Sequence, residues 1–199
     1  MRSDYRPGPP YVVVVLGRPA SGKTTISAAI AQRWSLPIVS KDALKETLFD
    51  TLGVGDRAWS ARLGRAAFAL LDRVIELQLQ SGRPFLVDAA YNAAHENEKF
   101  QAWQRQFGFT AVQVHCTSPR DVMIERFTRR ASDGSRHAGH ADQQSVDEFE
   151  ATLSDGRQEV LDIEGTVLRH HSDVAGGDQR LLRALDAVLT PLSGRDPSL

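Results

Sequence analysis

Short apolar segments alternate with longer amphipathic stretches along this chain. Five of them are predicted strands, at 11–16, 36–39, 84–88, 109–115 and 163–169. The first, YVVVVL, is apolar at every position, which is typical of a central strand covered by helices on both faces. Strands that alternate with helices indicate a parallel sheet. We therefore expect a three-layer α/β/α sandwich around a mostly parallel, five-stranded sheet.

The stretches between the strands have the apolar spacing of helices. Helices are predicted at 22–33, 42–50, 57–81, 95–107, 119–131, 145–161 and 178–189. Residues 131–144 lack large apolar side chains and hold two glycines, which indicates a mobile surface loop. We expect a flexible arm at 1–10, a single domain at 11–190 with a helical and loop lid at about 119–145, and a flexible tail at 191–199.

Size and charge narrow the function classes. The 199 residues suit one core, and 24 basic against 25 acidic residues argue against a dedicated nucleic-acid binder. Cys116 is the only cysteine, so no internal disulfide forms, which suits a reducing cytoplasm. No apolar run is long enough to cross a membrane. We expect a cytoplasmic protein without a membrane partner.

Residues 17–24, GRPASGKT, match the phosphate-loop pattern G-x-x-x-x-G-K-[ST] between the first strand and a helix. Backbone N–H groups of such a loop surround a phosphate chain, the lysine reaches the β- and γ-phosphates, and the hydroxyl binds Mg²⁺. ATP and Mg²⁺ are the predicted cofactors, with Thr24 on the metal. The predicted nucleotide-binding residues are Gly17, Arg18, Pro19, Ala20, Ser21, Gly22, Lys23, Thr24 and Thr25.

A phosphate loop alone does not separate kinases, switch GTPases and motor ATPases. The N-K-x-D motif of switch GTPases is not found, and Ala89 and Ala90 follow Asp88 where a motor ATPase would carry a second carboxylate. The segment SKDALKE follows the second strand, whose carboxyl end opens beside the phosphate loop. Asp42 in it is a candidate general base, although a helix N-cap is an alternative role, with Ser40 as a competing cap. Lys45, three residues on, is a candidate for holding the acceptor.

Three segments, GRPASGKTT, SKDALKE and FLVDAAYN, resemble the P-loop kinases that include 5′-polynucleotide kinase, the zeta toxins and chloramphenicol phosphotransferase. The resemblance extends over residues 11–136 and implies the P-loop NTPase fold. It implies that Asp42 is the general base, that Lys45 contacts the acceptor, and that Asp88 lies near Mg²⁺ or acceptor. Lys45 stands where polynucleotide kinase has arginine and the zeta toxins have lysine.

Further candidates lie after the third and fourth strands. Arg126 and Arg130 are four residues apart on one predicted helix face, where they can stabilise the transferring phosphoryl group or merely complement the helix dipole. Tyr91 can line the acceptor pocket or serve a turn. His137 and His140 lack a third ligand at zinc spacing, so we interpret them as lid residues that contact nucleotide or acceptor.

Together these features predict an ATP-dependent kinase that transfers the γ-phosphoryl group to a hydroxyl of a small molecule. An antibiotic, a nucleoside and a sugar nucleotide all remain open as acceptors. The alternatives are an ATP-dependent switch or binding module, and a polynucleotide 5′-hydroxyl kinase, which the near-neutral charge disfavours. The sequence does not indicate an oligomeric state.

Overall fold

A computed structural model describes residues 10–133, 136–140 and 145–193. Within them lies one five-stranded, all-parallel sheet in the order β2-β3-β1-β4-β5. The strands are β1 Tyr11–Leu16, β2 Ile38–Ser40, β3 Phe85–Asp88, β4 Thr110–Thr117 and β5 Gly165–His171. The helices are α1 Lys23–Trp34, α2 Lys41–Leu52, α3 Arg57–Ser81, α4 Ala93–Phe107, α5 Arg120–Asp133, α6 Val146–Thr152 and α7 Gly177–Ser193.

Helices cover both faces of the sheet, which confirms the predicted three-layer α/β/α sandwich. Val12 and Val14 of β1 face the core formed with α3 and α4, and Val13 and Val15 face the core formed with α1 and α7. Because alternate side chains of a strand point to opposite faces, an uninterrupted apolar strand suits this central position. A smaller cluster joins Phe127 of α5 to α6 and to the loop after β1.

The predicted helix at 145–161 is wrong in its extent, because α6 ends at Thr152. Beyond it, Asp155 accepts a hydrogen bond from the backbone N–H of Arg157 (3.0 Å), and Gly156 adopts a left-handed φ of 68°. Both features turn the chain out of a helix. Gln113 of β4 then bonds both backbone groups of Leu161, which holds the segment against the sheet.

Other boundaries differ by a few residues. β2 begins at Ile38, because Leu36 donates its N–H back to α1 and Pro37 has none to donate. α5 continues to Asp133 and a 3₁₀ turn spans Ala138–His140, within the segment predicted as a loop. α7 extends to Ser193, so the predicted tail begins in helix. The rest of that tail, most of the predicted arm and loop residues 134–135 and 141–144 lie outside the described residues.

The longest helices of the sandwich serve the two cores. No helix in the described part of the chain is long and apolar enough to span a bilayer.

Candidate active site

The strand ends bring the predicted site residues to one edge of the sheet. Val15 of β1 and Ser40 of β2 both lie in register with Asp88 of β3. The loops that follow surround a cleft of about 600 Å³. Its lining includes Lys23, Thr24, Asp42, Lys45, Asp88, Arg126, Arg130, Arg136 and His140.

The loop at 17–24 forms a narrow cradle because two of its positions accept only glycine. Gly22 has a φ of 91°, and a Cβ there would lie 2.6 Å from Cβ of Ser172. Gly17 has a φ of 142°, and a Cβ there would lie 2.3 Å from the carbonyl oxygen of Cys116. Left-handed φ and close approach of backbone are what glycine permits. The sequence pattern therefore reflects local shape at the start of α1.

The start of α1 can accept an anion. Gly22 is the N-cap, so no side chain caps the first turn, and the helix dipole adds partial positive charge there. Lys23 is half-buried and its Nζ donates to the carbonyl of Arg18 (2.8 Å). Burial lowers the pKa of Lys23, whereas Asp88 and Asp42 oppose this. Thr24 and Thr25 are exposed, with Thr24 on the cleft wall. The fit of this cradle to a phosphate chain is therefore good.

Arg18 points away from the cradle and fixes the loop to the segment after α6. Its Nε donates to Glu159, its Nη1 donates to the carbonyl of Thr152, and it pairs with Asp155 at 3.0 Å. Glu159 also contacts Nε2 of His115 on β4 at 3.1 Å. The side chain of Arg18 thus supports the phosphate loop from behind.

Asp42 stands in the first turn of α2 and faces the cleft. Ser40, not Asp42, caps the helix, by accepting a hydrogen bond from the N–H of Ala43 (3.4 Å). Asp42 instead receives hydrogen bonds from Lys41 (3.2 Å) and Arg136 (3.0 Å). Burial alone would raise the pKa of Asp42, but the charges of Lys41 and Arg136 hold it well below its usual range. The carboxylate is ionised, partly exposed and available to the cleft.

Residues 136–140, which we call the latch, connect back to α2. Arg136 Nη2 lies 3.1 Å from Nδ1 of His140, and Nε2 of His140 lies 2.9 Å from Glu46. Since a guanidinium only donates, Nδ1 accepts and Nε2–H donates to Glu46. Burial, aided by Arg136, lowers the pKa of His140 to about 3, which agrees with a neutral ring. A hydrogen-bonded chain therefore runs from Glu46 to Asp42.

His137 completes the latch. Its Nε2 lies 3.1 Å from Asp50, and its ring stacks on Phe49 at a centroid distance of 5.4 Å. The two histidines thus contact carboxylates of α2 separately. In the described part of the chain, no group of side chains has the composition of a metal centre.

Lys45 and Asp88 both reach the cleft, and Tyr91 does not. Lys45 is buried and donates from Nζ to Ser60 Oγ of α3 (2.9 Å). Burial raises the pKa of Asp88, and Asp42 adds to this effect while Lys23 opposes it. Tyr91 is 1% exposed and packs in the core against Phe100 at 5.4 Å. The Tyr91 side chain contributes to the core beneath the site and not to the cleft wall.

Three arginines of α5 line the cleft, and the two predicted from their four-residue spacing, Arg126 and Arg130, are among them. Arg126 donates to Ser118 (3.1 Å) and Ser172 (2.7 Å), hydroxyls that follow β4 and β5. Arg130 lies one turn further, and its guanidinium sits 5.9 Å from the ring centroid of Phe127. Arg129 is exposed and lies 3.9 Å from Glu125. α5 therefore supplies three cations to the cleft wall, of which Arg129 is the most exposed.

Sequence reasoning did not find the latch. Arg136 and Asp42 are 94 positions apart, and only the folded chain brings them together. One signal was present: Asp42, Glu46 and Asp50 recur at four-residue spacing on one face of α2. Such an acidic face can receive basic side chains, and RHAGH at 136–140 contains three of them.

Comparison with known proteins agrees with this architecture. A family model described as an AAA domain matches residues 12–155. The crystal structure of a presumed kinase from Chloroflexus aurantiacus J-10-fl is 33% identical, has a TM-score of 0.81, and is matched over 90% of this chain and 98% of that one. An unliganded sugar kinase from Janibacter sp. HTCC2649 is 16% identical with a TM-score of 0.55, over 91% of this chain and 95% of that one, and shows the fold alone. No curated protein matches significantly.

Proposed function

The chain belongs to the AAA domain family and has the P-loop kinase fold, and from this premise we propose that it is an ATP-dependent kinase acting on a hydroxyl of a small molecule. The observation that carries the proposal is the position of Asp42. It faces the same cleft as the phosphate loop, close enough for its charge to act on Lys23. A carboxylate there is placed to receive a proton from a hydroxyl that attacks the terminal phosphoryl group.

In the proposed reaction the acceptor oxygen forms a bond to the γ-phosphorus, and the bond from that phosphorus to the β,γ-bridging oxygen breaks to release ADP. The hydroxyl proton passes to Asp42 and then to solvent. Loop amides and Lys23 hold the phosphates, and Arg126 and Arg130 balance charge that spreads over the transferring group. Departure of Arg136 from Asp42 would raise the pKa of the carboxyl group and make it a stronger base.

Mg²⁺ fits the oxygen groups at the start of α1. The exposed hydroxyl of Thr24 would bind it directly, and the carboxylate of Asp88 lies on the same cleft wall. When bound, Mg²⁺ neutralises phosphate charge. We also propose that α5 and the latch, which fall within the predicted lid at about 119–145, belong to the part of the domain that closes over substrates.

The Asp42→Asn variant tests this function. We expect turnover with a responsive hydroxyl acceptor to fall about 10²- to 10⁴-fold, because the amide cannot take the proton. ATP binding should persist, because the phosphate loop is unchanged. Asp186→Asn, at an ion pair with Arg33 on the far side of α1, is the matched control and should retain activity.

Steady-state ADP formation across a panel of hydroxyl compounds measures turnover, and calorimetry measures ATP binding. An ATP-dependent switch predicts a different result. In that case no hydroxyl compound would stimulate ADP release, and a partner protein would bind only the ATP form of both Asp42→Asn and the unaltered chain. That outcome would refute the kinase assignment.

A further inference from the structure

Lys45 is a buried cation in the cleft without a carboxylate partner among the described residues. It is 6% exposed, its hydrogen bond goes to the neutral hydroxyl of Ser60, and its Nζ lies 5.2 Å from the ring centroid of Phe49. A buried charge is costly unless an opposite charge accompanies it. The site therefore holds a positive charge that a ligand can match.

The neighbouring cations each have a carboxylate partner. Lys41 and Arg136 both bond Asp42, and Arg57 of α3 pairs with Glu148 of α6. Burial lowers the pKa of Lys45 to about 8, and Lys41, Arg57 and Arg136 add to this effect while Asp42 opposes it. An anion beside Lys45 would offset both the desolvation of its ammonium group and the repulsion from the neighbouring cations.

The wall of α3 leaves room next to the ammonium group. A Cβ on Gly64 would lie 3.8 Å from Nζ of Lys45, so glycine keeps that side of the helix open. One turn further, Phe68 lines the cleft, and Ala89 and Ala90 line it from the end of β3. The compartment thus has a cationic end and an apolar wall, with Asp42 beside them.

We propose that the phosphate acceptor is an anionic alcohol, a small molecule that carries a carboxylate or phosphate group besides its reactive hydroxyl. The anionic group binds Lys45 with Arg57 nearby, and the hydroxyl then faces Asp42, one helical turn away on α2. This inference rests on the proposed kinase function. It favours a sugar nucleotide over a neutral nucleoside or antibiotic.

Pairs of alcohols that differ only in the anionic group test the proposal, such as a hydroxy acid with its amide and a hexose phosphate with its hexose. We expect kcat/KM to be about 10- to 100-fold higher for the anionic member, the range of a hydrogen bond to a charged group. Lys45→Met should remove that advantage, so that kcat/KM falls much more for the anionic member than for the neutral one, while the Kd for ATP stays the same. Lys45→Arg should restore part of it. Lys99→Met, on α4 beside Asp72, is the control.

Binding is followed separately from turnover through the side-chain NMR signal of Lys45. The anionic alcohol should raise the pKa of Lys45 above about 8, and its neutral partner should not. Equal kcat/KM for both members, with Lys45→Met lowering both alike, would overturn the inference while the kinase function stands. A raised pKa without any ADP formation would support anion binding and refute the kinase function. The inference would also be overturned if no anionic alcohol gave either a higher kcat/KM than its neutral partner or a raised pKa of Lys45.

Discussion

Asp42 accepts hydrogen bonds from two cations that lie in different parts of the chain. Lys41 is its neighbour on α2, whereas Arg136 comes from the latch. A carboxylate held this way stays ionised at neutral pH, but it is a weak base until one cation leaves. Arg136 lies in a loop between α5 and the 3₁₀ turn, whereas the backbone of Lys41 belongs to α2.

The Arg136→Gln variant should raise the pKa of Asp42. Removing a nearby positive charge stabilises the protonated carboxyl relative to the carboxylate, so protonation occurs at higher pH. The acid limb of the kcat/KM profile should therefore shift upward by about one pH unit. A profile that does not move, together with an unchanged carboxyl NMR titration of Asp42, would contradict this charge assignment.

The Gly22→Ala variant should lose both stability and nucleotide binding. A left-handed φ costs a residue with a Cβ about 1–2 kcal/mol, and the added methyl would also collide with Ser172. Gly53→Ala is a matched control, because its φ is 89° and nothing lies within 4 Å of its added Cβ. Urea unfolding should show a larger loss for Gly22→Ala, and calorimetry should show lost ATP binding in that variant alone.

At the scale of elements, α2 combines two tasks on one face. Asp42 and Lys45 face the cleft, and Glu46, Phe49 and Asp50 hold the latch. The spacing of three, four, seven and eight residues places all five along one side of a helix. The proposed acceptor compartment and the latch therefore share one helix.

The His140→Ala variant should release the latch from α2. It removes the contacts with Glu46 and Arg136 and the edge-on contact with Phe49 at 5.7 Å. Amide hydrogen exchange in 138–140 should speed up about tenfold or more, with α1 unchanged. The exposed His95→Ala is the control. Equal protection in all three proteins would show that the latch does not depend on His140.

The stability that the contacts of His140 contribute depends on pH. The pKa of His140 is about 3 in the folded chain and near 6.5 when free. The unfolded chain therefore takes up a proton first as pH falls below about 6.5, and the stability that depends on a neutral His140 declines from there to pH 3.

Element prediction from sequence succeeded where the signal was local. The predicted helix at 57–81 coincides with α3, whose N-cap Asp56 and C-cap Gly82 are local features. α6 was overextended although the turn at Asp155 and Gly156 is a local feature, and the contacts that hold the chain beyond it come from Arg18 and Gln113, which are far away in sequence. The phosphate loop was found because its chemistry lies in eight consecutive residues. The latch was missed because its contacts are tertiary.

At the scale of the molecule, the predicted sandwich and the resemblance to P-loop kinases are confirmed. Alternation of strands and helices was enough to place the cleft, because all strands of a parallel sheet end at one edge. The acceptor could not be read from the sequence, because its compartment combines α2, α3 and the end of β3.

Nucleotide should stabilise the whole domain, because only the folded chain forms the cradle. A non-hydrolysable ATP analogue with Mg²⁺ at about 100 times its Kd adds about 2.7 kcal/mol to the free energy of unfolding. For a domain of this size, the Tm should rise by about 5–10 °C. Lys23→Met should reduce that rise, and Lys99→Met should not. A Tm unaffected by the analogue would contradict nucleotide binding at this loop.

If the chain is the kinase proposed above, the Arg136–Asp42 ion pair has a consequence for ATP when no acceptor is present. Water can enter an open cleft as readily as a substrate, and a base free to accept its proton would promote the attack of water on the terminal phosphoryl group. On the proposed mechanism, the guanidinium of Arg136 on this carboxylate would keep hydrolysis of ATP by water slow until an acceptor displaces it. In the proposed kinase, Arg136 would therefore limit the hydrolysis of ATP while no acceptor is bound.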